Sequence, residues 1–102
     1  MADRKHIDGV AVIGMGRFGT AVASELLRMG REFIAIDENM EIVQRLSEEL
    51  THIVQADSTS VSTLQRLGVH ELGAAVVAIG SDLEASVLTV LALVELGVPA
   101  IW

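Results

Sequence analysis

Gly14-Met15-Gly16-Arg17-Phe18-Gly19 follows directly on the apolar run Val10-Ala11-Val12-Ile13, and eighteen residues after Gly19 a second apolar run, Phe33-Ile34-Ala35-Ile36, ends in Asp37. A GxGxxG loop set between a strand and a helix, with an acid at the end of the next strand, is the fingerprint of a dinucleotide-binding βαβ unit. Gly14 lets the chain turn sharply out of the strand. Gly16 lacks the side chain that would hold a pyrophosphate away, and Gly19 allows helix and strand to pack closely. The first-turn amides of the following helix have no intrahelical partners, and they face the phosphates together with the positive end of the helix dipole.

The alternation continues along the chain. Strand-like runs cover about 9–14, 32–37, 52–56 and 74–79 and begin again at 100–102. Between them, a first helix runs from Arg17 to about Met29 and stops at Gly30, its positions Phe18, Ala21, Val22, Leu26 and Met29 spaced as one buried face. A second begins near Met40, with Asn39 as a candidate cap, and buries Ile42, Val43, Leu46 and Leu50. A third spans 61–67, and a long fourth follows Gly80-Ser81-Asp82 and runs to about Leu96. Strands alternating with helices imply right-handed crossovers and a parallel sheet covered on both faces. The expected fold is α/β, a Rossmann-like doubly wound sheet of order 3-2-1-4-5 in one domain over 1–102. Ligands in such sheets bind at the carboxyl ends of the strands beside the switch point, here between strands 1 and 4. The glycine loop, Asp37-Glu38, Asp57-Ser58 and Ile79-Gly80-Ser81 all fall at carboxyl ends, so four loops converge on one crevice.

Composition narrows the partners. Hydrophobic residues make up 51% of the 102 and the mean hydropathy is +0.51, which calls for a doubly covered sheet or for apolar surface that meets a partner. The fourth helix carries one apolar face of Leu83, Val87, Val90, Leu91 and Val94 and a second of Leu88, Ala92 and Leu96. A helix apolar most of the way round needs a second partner. Its stretch 87–94, interrupted by Thr89, is far short of the roughly 20 apolar residues that span a bilayer. The polar N-terminus 1–6 has no apolar signal-peptide core behind it, and the absence of cysteine excludes disulfides, thiolate metal sites and cysteine nucleophiles. A cytosolic chain fits. Net charge −7, with seven scattered basic residues, argues against nucleic acid. His6, His52 and His70 have no metal-ligand spacing. A functional positive charge must therefore be single and well placed, and Arg17 is the candidate. A cation in the first turn opposes the helix dipole by roughly 0.3–1 kcal/mol, a local cost that a bound anion would offset.

The chain resembles the N-terminal nucleotide-binding half of an RCK domain (also called KTN, of TrkA-N type), most of all that of the cytosolic regulatory subunits of Ktr/Trk-type bacterial potassium uptake systems. The likeness rests on Val12-Ile13-Gly14-Met15-Gly16-Arg17-Phe18-Gly19, Ala35-Ile36-Asp37, Gln55-Ala56-Asp57-Ser58-Thr59, Val77-Ala78-Ile79-Gly80, Glu84-Ala85-Ser86 and Val98-Pro99-Ala100-Ile101-Trp102. It covers nearly everything after Ile7, and the fifth strand barely begins, so the resemblance implies a piece of a longer regulator. It further implies a cytoplasmic, non-catalytic sensor that binds ATP or ADP, with NAD(H) possible. Its partner would be a membrane-embedded potassium channel or transporter subunit, to which it is peripheral. Dimers with the fourth helix in the interface would build a ring.

For the site, Asp37 is expected to accept hydrogen bonds from ribose hydroxyls, and its charge disfavours a 2′-phosphate. The resemblance gives Arg17 the terminal phosphate, where it is otherwise an exposed bystander, and gives Asp57 the exocyclic amine of adenine, with a nearby amide for a ring nitrogen. Asp57 and Ser58 are otherwise caps of the third helix, Glu38 and Asn39 either flank the ribose or form a solvated turn, and Ser81 and Glu84 sit near the phosphate end. The alternative function is the coenzyme domain of an NAD-dependent dehydrogenase. The chain has no tyrosine, no cysteine and only Lys5, so the Tyr-x-x-x-Lys arrangement is excluded.

Overall fold

A computed structural model describes residues 7–102, so the polar N-terminus 1–6, with Lys5 and His6, lies outside the described residues. The elements run β1 (Ile7–Ile13), α1 (Arg17–Arg28), β2 (Glu32–Asp37), α2 (Met40–Leu46), β3 (Ile53–Gln55), α3 (Val61–Arg66), a 3-10 turn (Val69–Glu71), β4 (Leu72–Val77), α4 (Leu83–Leu96) and β5 (Ala100–Ile101). All pairings are parallel and the sheet order is β3-β2-β1-β4-β5, as expected from the sequence.

β1 lies at the centre because its residues are apolar on both faces. Successive side chains in a strand point to opposite sides. Val12 therefore joins Met15, Ala23, Ala35, Leu46 and Leu50 in a core under α1 and α2. Ala11 and Ile13 join Ile36, Leu64, Val69, Ala75, Ala92, Leu93 and Val98 in a second core under α3 and α4. The two cores share only the sheet between them, and every loop at its carboxyl edge opens toward the same side.

Several local expectations need correction. α1 buries Gly19 and Ala23, with Val22 and Leu26 half-buried, whereas Phe18 and Met29 are exposed and so is Ala21. Gly19 must face the sheet, and that sets the rotation of the helix. α3 is capped by Ser60, whose hydroxyl accepts from the Thr63 amide, and not by Asp57 or Ser58. The 3-10 turn, which no periodicity announced, brings Val69 into the core, and β4 starts two residues earlier than expected. The Asn39 cap of α2 is present, its side chain accepting from the Glu41 and Ile42 amides. Along α4, Thr89, Ala92 and Leu93 face the core while Leu83, Val87, Leu91 and Val94 stand exposed. The first of the two apolar faces read from the sequence is thus the outward one. No helix of the described residues is long and apolar enough to cross a membrane.

Candidate functional site

A crevice of about 590 Å³ opens at the carboxyl edge of the sheet, at the switch point between β1 and β4. Its first wall is the glycine loop. The Gly14 amide donates to the Ile36 carbonyl at 2.8 Å, and Ala78 donates to the Ile13 carbonyl at 2.7 Å, so β1 is hydrogen-bonded on both sides up to the point where it turns. Gly14 turns with φ +98°, and a Cβ there would lie 2.8 Å from the Ala78 carbonyl oxygen. Gly19 is tighter still: its Cβ would fall 1.7 Å from the Gly14 carbonyl oxygen. A Cβ on Gly16 would meet no atom within 4 Å, because Gly16 faces the open crevice. Gly14 and Gly19 are thus constrained by the protein's own backbone, whereas nothing within the described residues constrains Gly16.

α1 starts at this loop with Gly16 as its N-cap, no side-chain cap and no acid in its first turn. Its first amides are left without side-chain acceptors, an arrangement suited to an anion. The Thr20 hydroxyl steadies the loop by donating to the Met15 carbonyl at 3.0 Å. Met15 contributes backbone to the crevice and its side chain to the core, where it is 1% exposed.

The second wall is the end of β2. Asp37 Oδ2 accepts from the Met15 amide at 2.7 Å, and Oδ1 accepts from the Asn39 amide at 2.8 Å. A carboxylate offers about four lone-pair sites, so two remain for hydroxyls of a ligand. Glu38 also lines the crevice, and its carbonyl is held by the Gln55 side-chain amide at 3.0 Å.

The third wall is the β3–α3 loop. Asp57 Oδ1 accepts from the Thr59 amide at 2.9 Å and from the Thr59 hydroxyl at 2.6 Å. The hydroxyl first, and then the amide, hold the Asp57 carboxyl below its ordinary range, so it stays ionised at neutral pH. Ser58 is buried and its hydroxyl pairs with that of Thr89 on α4 at 2.8 Å. Ile79, Gly80 and Ser81 complete the wall after β4, joined by Asp82, which caps α4 by accepting from the Ala85 amide. The capping position before Leu83 was a signal available in the sequence.

Gly14, Met15, Gly16, Asp37, Glu38, Asp57, Ser58, Ile79, Gly80 and Ser81 are thus brought to one crevice. Arg17 and Phe18 stand exposed on the first turn of α1, off its wall, and Gly19 lies buried behind it. Glu84 lines a smaller adjoining recess with Glu38, Asp57 and Asp82. His52 is exposed and His70 half-buried, and no group of metal-ligating side chains occurs among the described residues.

An open parallel sheet of this order, with a glycine loop at its switch point, defines a Rossmann-like domain of the nucleotide-binding type. The chain belongs to the TrkA-N domain family, which residues 10–102 match. It is 46% identical over 92 residues to Ktr system potassium uptake protein A of Bacillus subtilis, covering 90% of this chain and 41% of that protein. Ktr system potassium uptake protein C of the same organism is 42% identical over 91 residues, covering 89% and 41%. The Trk system potassium uptake protein TrkA of Mycobacterium tuberculosis is 30% identical over 92 residues, covering 90% and 42%. The chain thus spans about two-fifths of the length of these relatives. Among solved structures, it resembles the NAD(P)-binding domain of an exopolyphosphatase-related protein from Archaeoglobus fulgidus, with TM-score 0.77, 28% identity and coverage of 86% and 65%. The TrkA-N domain of the inner membrane protein ybaL from Escherichia coli shares the fold, with TM-score 0.66, 15% identity and coverage of 93% and 85%.

Proposed function

We propose that this domain binds an adenine nucleotide in the crevice and serves as the sensing module of a potassium uptake regulator. The observation that carries the reading is Asp37, held by the Met15 amide beside the open face of Gly16. An acid with two free lone pairs and a side-chain-free phosphate approach then lie side by side. The ribose sits on Asp37, the adenine against the Asp57–Thr59 loop, and the phosphates over Gly16 and the start of α1, within reach of Arg17. ATP or ADP is the preferred ligand, with NAD(H) the competitor, and Asp37 repels the 2′-phosphate of NADP(H).

The relatives named as Ktr and Trk potassium uptake proteins support a membrane-embedded potassium transporter subunit as the partner. The domain would then act on the cytoplasmic side, peripheral to the membrane through that subunit. It is a switch and not an enzyme: ligands that stabilise different arrangements of its copies suffice to open or close the partner. The exposed apolar face of α4 supports association between copies.

Thermal unfolding with ATP, ADP, AMP, NADH and NADPH tests the reading. A rise in melting temperature with the first four and a smaller one with NADPH is expected, and no rise with any of them refutes it. The likeness to an NAD(P)-binding domain favours the coenzyme module of a dehydrogenase as a second reading. Oxidation of NADH by a small carbonyl compound would establish that reading and displace the first.

A further inference from the structure

Thr89 is the polar residue within the apolar stretch 87–94, and it is the residue of that stretch that has no exposure beside Leu93. Its neighbours Leu88 and Leu91 are 44% and 58% exposed. α4 therefore buries a hydroxyl beside Ala92 and Leu93 while leaving several larger aliphatic side chains outside, against the usual ordering for a polar group. A buried hydroxyl is costly unless it is paired. Thr89 is paired, with the Ser58 hydroxyl 2.8 Å away and 31 residues earlier in the chain.

Ser58 belongs to the β3–α3 loop that walls the crevice, whereas Thr89 does not line it. The rest of that loop is shaped locally. Thr59 donates twice to Asp57 Oδ1, and the Ser60 amide donates to the Asp57 carbonyl. Among the described residues, the Ser58–Thr89 pair is the long-range side-chain hydrogen bond of residues 57–59. A hydrogen bond has a preferred length and direction, which an apolar contact lacks. The pair ties to α4 the loop whose next residue back, Asp57, lines the crevice.

We infer that Thr89 is a positioning residue for ligand recognition: acting through Ser58, it sets the β3–α3 loop at the base end of the crevice and so controls affinity for the adenosine part of the ligand. The inference rests on the adenine-nucleotide reading above. The test compares the wild-type protein with Thr89→Val, which removes the hydroxyl and keeps the shape, Thr89→Ser, which keeps the hydroxyl, Ser58→Ala, and the Ser58→Ala/Thr89→Val pair. AMP affinity is measured by calorimetry and amide exchange by mass spectrometry. Thr89→Val is expected to weaken AMP about fivefold, the worth of one hydrogen bond. It should speed exchange at the Thr59 and Ser60 amides while leaving Gly14 and Met15 protected. Thr89→Ser is expected to restore AMP affinity, and Thr89→Val to have no further effect once Ser58 is alanine. Wild-type AMP affinity in Thr89→Val overturns the inference, as does faster exchange at the glycine loop to the same degree as at Thr59. A wild-type protein that binds no adenine nucleotide overturns the functional reading itself, a different result from the first two.

Discussion

Asp37 and Met15 are joined by a 2.7 Å hydrogen bond from the Met15 amide to Asp37 Oδ2, across 22 residues. The acid expected to meet a ribose thus first clips the end of β2 to the glycine loop. Asp37→Ala leaves that amide without its acceptor, and the expected loss of stability is about 1–3 kcal/mol. Asp37→Asn, which keeps an acceptor, should lose less, and both should weaken adenine nucleotides. Urea unfolding and ligand titration read the two effects separately, and an Asp37→Ala protein as stable as wild type would remove the clip.

Gly16 and Gly19 separate binding from folding. Gly19→Ala places a methyl 1.7 Å from a carbonyl oxygen. Overpacking of that kind costs roughly 1–3 kcal/mol or more, so partial or complete unfolding is expected. Gly16→Ala meets no atom and has an ordinary φ of −75°. It should fold with near wild-type stability and lose nucleotide affinity, measured by thermal unfolding with and without ATP.

Arg17 is exposed and opens α1. Without ligand, Arg17→Ala should stabilise the protein slightly, by about 0.3–1 kcal/mol at low salt, because it removes a cation from the positive end of the helix. With ligand, it should weaken ATP more than AMP. Equal weakening of the two would take Arg17 away from the terminal phosphate.

The strand order, the glycine loop, Asp37 and the Asn39 cap were all legible because each depends on local chemistry: apolar runs, backbone freedom, an acid at a strand end, an amide before a helix. The rotation of α1 was not, since Phe18 and Met29 are as apolar as Val22 and only the contact between Gly19 and Gly14 decides which side faces the sheet. α4 was harder. With leucine and valine on nearly every side, periodicity named two faces and could not say which is inside, and the polar Thr89 proved to mark the buried one. Ser58 lines the crevice as expected of its loop, but the pairing of its hydroxyl with Thr89, 31 residues away, was not legible. Pairings over that distance have no signature in a single chain.

The Asp57 carboxylate is held by both the hydroxyl and the amide of Thr59. Its folded pKa is lowered by the Thr59 hydroxyl and then the Thr59 amide. A lowered folded value means that the stabilisation is present above the unfolded pKa and is lost as pH falls through the folded one. Thr59→Val removes the hydroxyl donor, so the Asp57 carboxyl should titrate at higher pH than in the wild type, read by NMR titration of its carboxyl carbon. An unchanged midpoint would show that Thr59 has no hold on it.

Leu91 lies at the middle of the outward stripe of α4 with 58% exposure. Leu91→Glu should leave unfolding within about 0.5 kcal/mol of wild type, as surface substitutions do. It should also lower the apparent size by light scattering at high protein concentration. Identical size for both proteins would argue against α4 as a contact between copies.

The contact of Gly19 with Gly14 acts as a mechanical stop. α1 cannot slide or roll toward the sheet without that carbonyl in its way, and the clip at Asp37 keeps the loop from drifting outward. The amides at the start of α1 are therefore aimed during folding, before any ligand arrives. On the proposed reading, rigidity settled in advance would spare an incoming phosphate the entropy of ordering its own cradle. Discrimination between ligands would then fall, on that same reading, to the exposed side chain of Arg17 and to the β3–α3 loop that Thr89 braces through Ser58.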